Sequence, residues 1–212
     1  MTIPKDMESG YRTFRNERFA KEAQLYKSLA LEQKPRTMII GCADSRVDPA
    51  TIFAAAPGEL FVVRNIAALV PPYEENGSYH GTSAAVEFAV NSLRVEKIIV
   101  LGHGLCGGVA AALLAAENRP VGQFIGPWVG LLSDIRDEML EHRSDMDKET
   151  KQRTLEQLAI RVSLDNLMTF PFVRNCVDAD NLVLEGAWFS IGEARLEWLN
   201  KDTEAFEPVV AK

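Results

Sequence analysis

Two short clusters of chemically active side chains stand out in this sequence, one at Cys42 and the other from His103 to Cys106. Together they offer two thiolates and one imidazole, which are ligand types that zinc prefers in proteins. Three protein ligands leave the fourth position of a tetrahedral zinc open for water, whereas structural zinc sites are normally closed by four protein ligands. The residue types therefore indicate a catalytic metal with Cys42, His103 and Cys106 as its ligands.

Asp44 and Arg46 follow the first candidate ligand directly. As an ion pair, Arg46 would keep Asp44 deprotonated and oriented to accept a hydrogen bond from water on the metal. Asp44 could instead bind the metal as a fourth ligand and block the reaction. An arbitrary Asp-x-Arg most often only braces a loop, but the neighbouring ligand favours a catalytic interpretation here.

The second cluster is rich in glycine. A separation of three residues lets one turn bring His103 and Cys106 onto a single ion, and the glycines permit the tight backbone that this turn needs. Gly107 and Gly108 also begin the next predicted helix, whose N-terminal amides favour negative charge on the neighbouring thiolate.

Strands must position these clusters, because each one follows a short run of apolar, largely β-branched residues. The runs at 37–41, 60–63 and 97–101 predict buried strands, and the pattern over 81–93 predicts a crossover helix between the second and the third. Ligand sites in an open parallel sheet gather outside the carboxyl ends of the strands. The two clusters therefore meet only if the strands at 37–41 and 97–101 are neighbours.

The remaining pattern predicts a single α/β domain, residues 1–212, with a mainly parallel central sheet flanked by helices. Helical spacing over 11–32, closed by Lys34-Pro35, predicts an N-terminal helical arm (1–34) ahead of an α/β core (35–212). We expect Pro171 to end the last long helix, and a C-terminal strand pair to close the domain. These further helices and the strand pair are predicted at 109–116, 124–139, 149–170, 181–186 and 194–199.

Composition narrows the classes of function. The 212 residues are 47% hydrophobic and carry a net charge of -7, with 23 basic against 30 acidic residues, so a nucleic-acid partner is not expected. No apolar stretch approaches the roughly 18 residues of a membrane span or the core of a signal peptide. Three cysteines give no disulfide framework. We expect a soluble, cytoplasmic protein.

Four ordered motifs resemble the β-class carbonic anhydrases: CADSRVDP at 42–49, PGELFVVRN at 57–65, SAAVEF at 83–88 and GHGLCGG at 102–108. The resemblance extends over 33–188. It implies a lyase, carbonate dehydratase, that reversibly hydrates CO2 to bicarbonate and a proton by attack of zinc-bound hydroxide. It also implies one zinc per chain, an Asp44-Arg46 catalytic dyad, and a homodimer with exchanged arms from which larger homo-oligomers are built.

The resemblance also suggests a substrate pocket. Gln33 stands nine residues before the first zinc cysteine, as in the accessible-site subgroup, where the glutamine would donate a hydrogen bond to a substrate oxygen. Phe61, Ile66 and Phe88 would line an apolar CO2 pocket, although the simpler interpretation of all three is as core residues.

The bicarbonate-regulated subgroup has a tryptophan and a tyrosine where this chain has Ile39 and Phe189, so only Arg64 matches its regulatory pocket.

Two further positions depart from the family pattern. Phe88 stands where tyrosine is common and Ala68 where asparagine is usual, and each change removes a polar group near the pocket wall. These departures bear on rate, proton transfer or substrate choice, not on zinc binding.

Three alternatives stay open. The same scaffold could hydrolyse carbonyl sulfide or carbon disulfide, or it could be an inactive zinc-binding sensor with Asp44 on the metal. A nucleotide-binding module at 102–108 is a third, although this loop lacks a Walker lysine and a full dinucleotide fingerprint. We interpret His80 and His142 as surface or loop residues, although His80 could instead act as a proton shuttle. Cys176 is interpreted as a cysteine that does not bind the metal.

Overall fold

The computed structural model describes residues 3–75, 80–143 and 145–210. The chain forms two compact units, Met1–Lys34 and Pro35–Lys212. The first is built from helices, and the second contains a six-stranded sheet with helices around it.

The N-terminal unit is helical from Lys5, earlier than the predicted start. Its backbone departs from the helix at Glu22, with φ -106° and ψ 18°. The rings of Phe14 and Phe19 pack against Tyr26, at centroid distances of 5.6 and 5.3 Å. No glycine or proline marks this break, so the sequence pattern did not reveal it. The helical segments are α1 (Lys5–Thr13), a π-helical turn (Phe14–Arg18), α2 (Phe19–Lys21) and α3 (Ala23–Leu29).

The second unit alternates strands and helices in its first half and is mainly helical before its last strands. Its strands are β1 (Thr37–Cys42), β2 (Leu60–Asn65), β3 (Lys97–His103), β4 (Val183–Ser190), β5 (Arg195–Leu199) and β6 (Phe206–Pro208). Its α-helices are α4 (Pro49–Ile52), α5 (Gly81–Glu87), α6 (Gly107–Ala116), α7 (Ile125–Val129), α8 (Ser133–His142), α9 (Lys148–Leu167) and α10 (Pro171–Asp178).

The strand order is β2-β1-β3-β4-β5-β6. The first four strands are parallel, and β5 and β6 add antiparallel pairs at one edge. Thus β1 and β3 are neighbours, as the predicted meeting of the two clusters required, and Gly41 pairs with Leu101. The prediction of a mainly parallel sheet flanked by helices is confirmed, together with the N-terminal helices and the C-terminal strand pair.

The two faces of the sheet are apolar because both are packed. Met38 and Ile98 point to one face, where they join a core with Leu167 of α9 and Val173 of α10. Their strand neighbours point to the other face and form a separate cluster that includes Ile39, Ile99, Leu101 and Ala187. Burial on both faces explains why these strands are continuous hydrophobic runs in the sequence.

Helix α9 packs closely on the sheet. A Cβ at Gly102 of β3 would stand 2.8 Å from Ile160 Cδ1, so the missing side chain allows the helix to approach the strand. This approach places the first half of α9 beside the end of β3. Although α9 is the longest helix, no helix in the described ranges is both long and apolar enough to cross a membrane.

Three features of the second half differ from expectation. Pro171 begins α10 as well as following the end of α9, because proline is tolerated at the first position of a helix. The helical pattern over 124–139 is divided by a 3₁₀ turn at Gly130–Leu132 between α7 and α8. The strand β6 was not predicted, because its three residues carry too little pattern to be recognised.

Candidate metal centre

Cys42 is the last residue of β1 and is buried. Its neighbour across the sheet is Asn65, the last residue of β2, whose carbonyl accepts a hydrogen bond of 2.7 Å from the Ala43 amide. The ladder between β1 and β2 therefore continues one residue beyond Cys42. This fixes the backbone from which the thiol projects at the carboxyl edge of the sheet.

His103 ends β3 and is 1% exposed, and a tight turn leads from it to Cys106, the residue before helix α6. Leu105 within this turn has a left-handed φ of 56°, which a residue with a side chain adopts only at some cost. Only residues 104–106 separate the end of β3 from the start of α6. This short turn directs His103 and Cys106 towards the same point.

The three candidate ligands lie together. Their ligand atoms are all within 4.8 Å of one another, and the sulfurs of Cys42 and Cys106 are 3.9 Å apart. Two sulfurs on a tetrahedral zinc, each about 2.3 Å from the ion, would be separated by about 3.8 Å. The observed separation fits a shared zinc, and it is much longer than a disulfide bond.

The imidazole of His103 is oriented for ligation. Its Nδ1 lies 2.9 Å from the carbonyl oxygen of Gly104, and only a protonated Nδ1 can donate to that oxygen. The lone pair is then on Nε2, which is buried and has no hydrogen-bond partner among the described residues. A buried nitrogen without a partner is rare in folded proteins, and a metal ion would satisfy it. The donor set therefore fits zinc.

The contact between Cys42 and Cys106 shifts the pKa values of the two thiols in opposite directions. The hydrogen bond from Cys106 lowers the pKa of Cys42 to about 4, against the opposing effect of burial. The same contact, together with burial, raises the pKa of Cys106. Because a second thiolate is unfavourable beside the first, binding of a divalent cation would release the remaining proton.

Asp44 and Arg46 form a bidentate ion pair beside the candidate ligands. The Nε of Arg46 donates to Asp44 Oδ1 at 2.9 Å, and Nη2 donates to Oδ2 at 2.7 Å. These bonds, with a further one from the Arg46 amide, hold the pKa of Asp44 well below its usual range. Asp44 Oδ2 lies 3.9 Å from His103 Nε2, so its ionised carboxylate faces the ligand cluster.

Arg64 is a residue whose role sequence reasoning missed. It projects from β2 and donates hydrogen bonds to the carbonyl oxygens of Cys42, Asp44 and Val47 at 2.8, 2.5 and 3.0 Å. One guanidinium thereby fixes the backbone of the whole loop after β1. The available signal was an arginine directly after the apolar run at 60–63.

Glu156 was also missed. It lies on α9, 50 residues beyond Cys106, and its Oε1 accepts a hydrogen bond of 2.9 Å from the Cys106 amide. A lone glutamate in a charged amphipathic helix carries no sequence signal for such a contact. Only the packing of α9 against the sheet reveals it.

The predicted pocket residues fall into two places. Ile66 follows β2 at the same sheet edge as Cys42, and its carbonyl accepts a hydrogen bond of 2.8 Å from Trp128. Phe61 and Phe88 pack together with ring centroids 5.9 Å apart. Phe61 lies on β2 four residues before the level of Cys42, which corresponds to about 13 Å along the strand. Of these three residues, Ile66 is the one at the sheet edge that carries the candidate ligands.

Gln33 lies exposed after α3 in the N-terminal unit, and its role stays a prediction. His80 immediately precedes α5, and its Nε2 is 3.6 Å from Glu74 Oε2. Cys176 is a free, partly buried thiol on α10. Within the described ranges, Cys42, His103 and Cys106 form the only group of three residues positioned to hold a metal ion.

Ala68, one of the two positions that depart from the family pattern, is buried with a left-handed φ of 56°, and Ala67 before it has a φ of 64°. Asparagine adopts this conformation more readily than alanine does. The usual asparagine is thus replaced by a residue with neither its polar group nor its backbone preference.

Comparison with known proteins gives consistent relationships. Residues 37–196 match the sequence model of the carbonic anhydrase family. Beta carbonic anhydrase 3 of Arabidopsis thaliana is 35% identical over 185 residues, which cover 86% of this chain and 71% of that protein.

Two solved structures extend the similarity to the fold. The β-carbonic anhydrase CcaA is 28% identical, with a TM-score of 0.86 over 97% of this chain and 98% of that one. A structure from a study of two tetrameric β-carbonic anhydrases of Sordaria macrospora is 32% identical. Its TM-score is 0.76, and the match covers 92% of each chain.

Proposed function

This chain belongs to the β-class carbonic anhydrases and is a carbonate dehydratase, and we propose that its Cys42, His103 and Cys106 hold one catalytic zinc while Asp44 and Arg46 act as the catalytic dyad. The observation that carries the proposal is the convergence of two buried sulfurs and a partnerless imidazole nitrogen within 4.8 Å, beside an ionised carboxylate.

Zinc bound by these three residues would supply a Lewis acid that makes water nucleophilic near neutral pH. The remaining chemistry belongs to the chain. Asp44 accepts a hydrogen bond from the water that attacks CO2 and so orients a lone pair towards the carbon. Because its pKa is held low, Asp44 stays an acceptor throughout the neutral range.

Arg46 holds Asp44 at both carboxylate oxygens and also donates to the carbonyl of Leu105 at 3.2 Å. It thereby ties the loop after β1 to the turn after β3. With Arg46 in place, rotation of Asp44 onto the metal would break two charge-assisted hydrogen bonds. The geometry therefore favours the active arrangement over the blocked sensor.

The apolar CO2 pocket is the second part of the proposal. Ile66 would form its wall beside the ligands of the same chain. Phe61 lies about 13 Å along β2 from the level of Cys42, and Phe88 packs against Phe61, so these two rings would line a pocket only across an interface with another subunit. By the family resemblance, Gln33 would donate a hydrogen bond to a substrate or bicarbonate oxygen.

Such a shared pocket requires a homodimer, and larger homo-oligomers would be built from it. The tetrameric state of the Sordaria macrospora enzymes supports this assembly. We propose the cytoplasm as the compartment, because the three free thiols are suited to a reducing environment. Fractionation of cells that express the protein at its natural level tests this assignment.

The function is tested by measuring the zinc content of the purified protein and its CO2 hydration by stopped flow between about pH 7 and 9, which brackets zinc-assisted water chemistry. We expect one zinc per chain and fast hydration. Zinc with hydrolysis of carbonyl sulfide or carbon disulfide, but little CO2 hydration, would instead assign the sulfur-containing substrates. Absence of zinc from active protein would overturn the ligand assignment.

A further inference from the structure

Glu156 is a buried carboxylate, 3% exposed, behind the candidate metal centre. Three neutral groups donate hydrogen bonds to it: the Cys106 amide at 2.9 Å, the Gln152 side chain at 3.1 Å and the Trp188 indole at 3.1 Å. Burying a carboxylate is unfavourable unless its oxygens are bonded, and here each oxygen has at least one donor.

Both main-chain polar groups of Cys106 are contacted by the same turn of α9. Glu156 accepts from the Cys106 amide, and Gln152 donates to the Cys106 carbonyl at 3.4 Å. Cys106 stands at the N-cap of α6 in an extended conformation, with φ -70° and ψ 120°. Its amide is therefore outside the hydrogen bonding of that helix, and Glu156 is its partner.

A second buried carboxylate provides a comparison. Glu197 on β5 is also 3% exposed, but its donors are two cations and an amide: Arg153 at 2.7 Å, Arg195 at 3.1 Å and Gln157 at 3.1 Å. None of these donors is a candidate ligand. Glu197 therefore joins α9 to the C-terminal strands, whereas Glu156 joins α9 to a ligand.

We infer that Glu156 is a positioning residue of the metal centre. By fixing the Cys106 amide it holds the Cys106 sulfur 3.9 Å from that of Cys42, and so slows the release of the bound metal. This inference rests on the proposed function, since it requires a metal on Cys42, His103 and Cys106. Loss of an outer partner of a metal ligand typically lowers metal affinity by about 10- to 100-fold.

The test compares zinc release from the wild-type holoprotein and from Glu156→Gln, with Glu197→Gln as the matched control. A chromogenic zinc chelator reports the release rate, and thermal unfolding reports stability. We expect release from Glu156→Gln to be about 10- to 100-fold faster. Glu197→Gln should unfold at a lower temperature than the wild type yet release zinc at close to the wild-type rate.

Cobalt substitution provides a readout that general destabilisation would not move. We expect the thiolate-to-cobalt charge-transfer band to change in Glu156→Gln, because one sulfur is held less firmly, and to stay unchanged in Glu197→Gln. If both variants release zinc equally and share the wild-type cobalt spectrum, Glu156 has only a structural role and the inference fails.

Gln152→Leu supports the same test if Glu156→Gln does not fold. It removes one donor to Glu156 and one to the Cys106 carbonyl from a partly buried position, and faster zinc release is expected. An unchanged release rate would overturn the inference. If the wild type and these variants all release zinc equally slowly, this inference fails but the proposed function stands. If the wild type itself binds no zinc, the proposed function fails.

Discussion

The two loops at the candidate metal centre are held in different ways. The loop after β1, residues 43–47, carries charged groups that reach solvent, and arginine side chains fix it: Arg46 on the Asp44 carboxylate and Arg64 on three carbonyl oxygens. The turn after β3, residues 104–106, ends at the buried Cys106, whose main chain is hydrogen-bonded to side chains of α9.

The two loops also have different proposed roles. The end of β3 and the turn after it contribute two of the three candidate ligands, His103 and Cys106, and are fixed by packing and buried hydrogen bonds. The loop after β1 contributes the carboxylate that would face the reacting water in the proposed mechanism, and this loop is fixed by ion pairs and charge-assisted hydrogen bonds. Changes in the turn should therefore remove the metal, whereas changes in the loop should leave the metal and alter the rate.

The largest effect is expected from Cys106→Ser. Serine keeps the size of the side chain but replaces the thiolate with a hydroxyl, which is a poor zinc ligand because it stays protonated near neutral pH. Zinc affinity should fall by more than the roughly 100-fold that loss of an outer partner costs, and activity should fall with it. Metal analysis after dialysis, together with stopped-flow hydration, checks this. Stoichiometric zinc at full rate would exclude Cys106 as a ligand.

Asp44→Asn should separate the two loops. The amide keeps the shape of the side chain but loses the charge and one acceptor position, so the attacking water is no longer oriented. We expect zinc to stay stoichiometric while kcat/KM falls by about 100- to 10,000-fold, the range of a positioned acid-base group. Wild-type turnover in this variant would show that the Asp44-Arg46 pair only braces the loop.

Two adjacent glycines at the start of α6, directly after the turn that follows β3, give a further contrast where this helix meets the segment after β2. A Cβ at Gly108 would stand 2.6 Å from Ile66 Cγ2 and 2.9 Å from Ala67 Cβ, whereas a Cβ at Gly107 meets nothing within 4 Å. We expect Gly108→Ala to destabilise the protein by about 1–3 kcal/mol through overpacking. Gly107→Ala should be neutral or stabilising by up to about 1 kcal/mol. Denaturant unfolding of both variants tests this, and equal stabilities would contradict the close contact.

The smallest effect concerns pH at the end of the loop after β1. Asp48 caps helix α4, and its hydrogen bonds from the Thr51 hydroxyl and amide lower its pKa below the usual value of about 3.9. Its contribution to stability is therefore complete above that value and is lost as pH falls through the lowered pKa. Asp48→Asn keeps a capping side chain but does not titrate.

The wild type should be more stable than Asp48→Asn from pH 5 to 7 by less than about 1 kcal/mol, because the side chain is half exposed and solvent screens it. The difference should shrink below about pH 4. Urea unfolding across this range measures it. A difference that persists at the lowest pH would assign the stability to something other than the Asp48 charge.

Much of this architecture was readable from the sequence because it depends on local pattern. The buried strands are continuous apolar runs, the crossover helix has its own periodicity, and the candidate ligands stand where the strands end. Contacts across long separations were not readable. Glu156 lies 50 residues from Cys106, so its hydrogen bond with the Cys106 amide has no local signal in the sequence. Phe61 resembles any core residue, so its distance from Cys42 along the sheet has no local signal either.

The sequence by itself determined the ligand types, their spacing within each cluster and the strands that carry them, because these follow from side-chain chemistry and from the periodicity of neighbouring residues. The tertiary structure alone decided that β1 and β3 are adjacent, that Arg64 binds one loop, and that α9 binds the other. The reason is that such contacts depend on how elements pack, and a close approach such as that of α9 at Gly102 is set by the shapes of both partners.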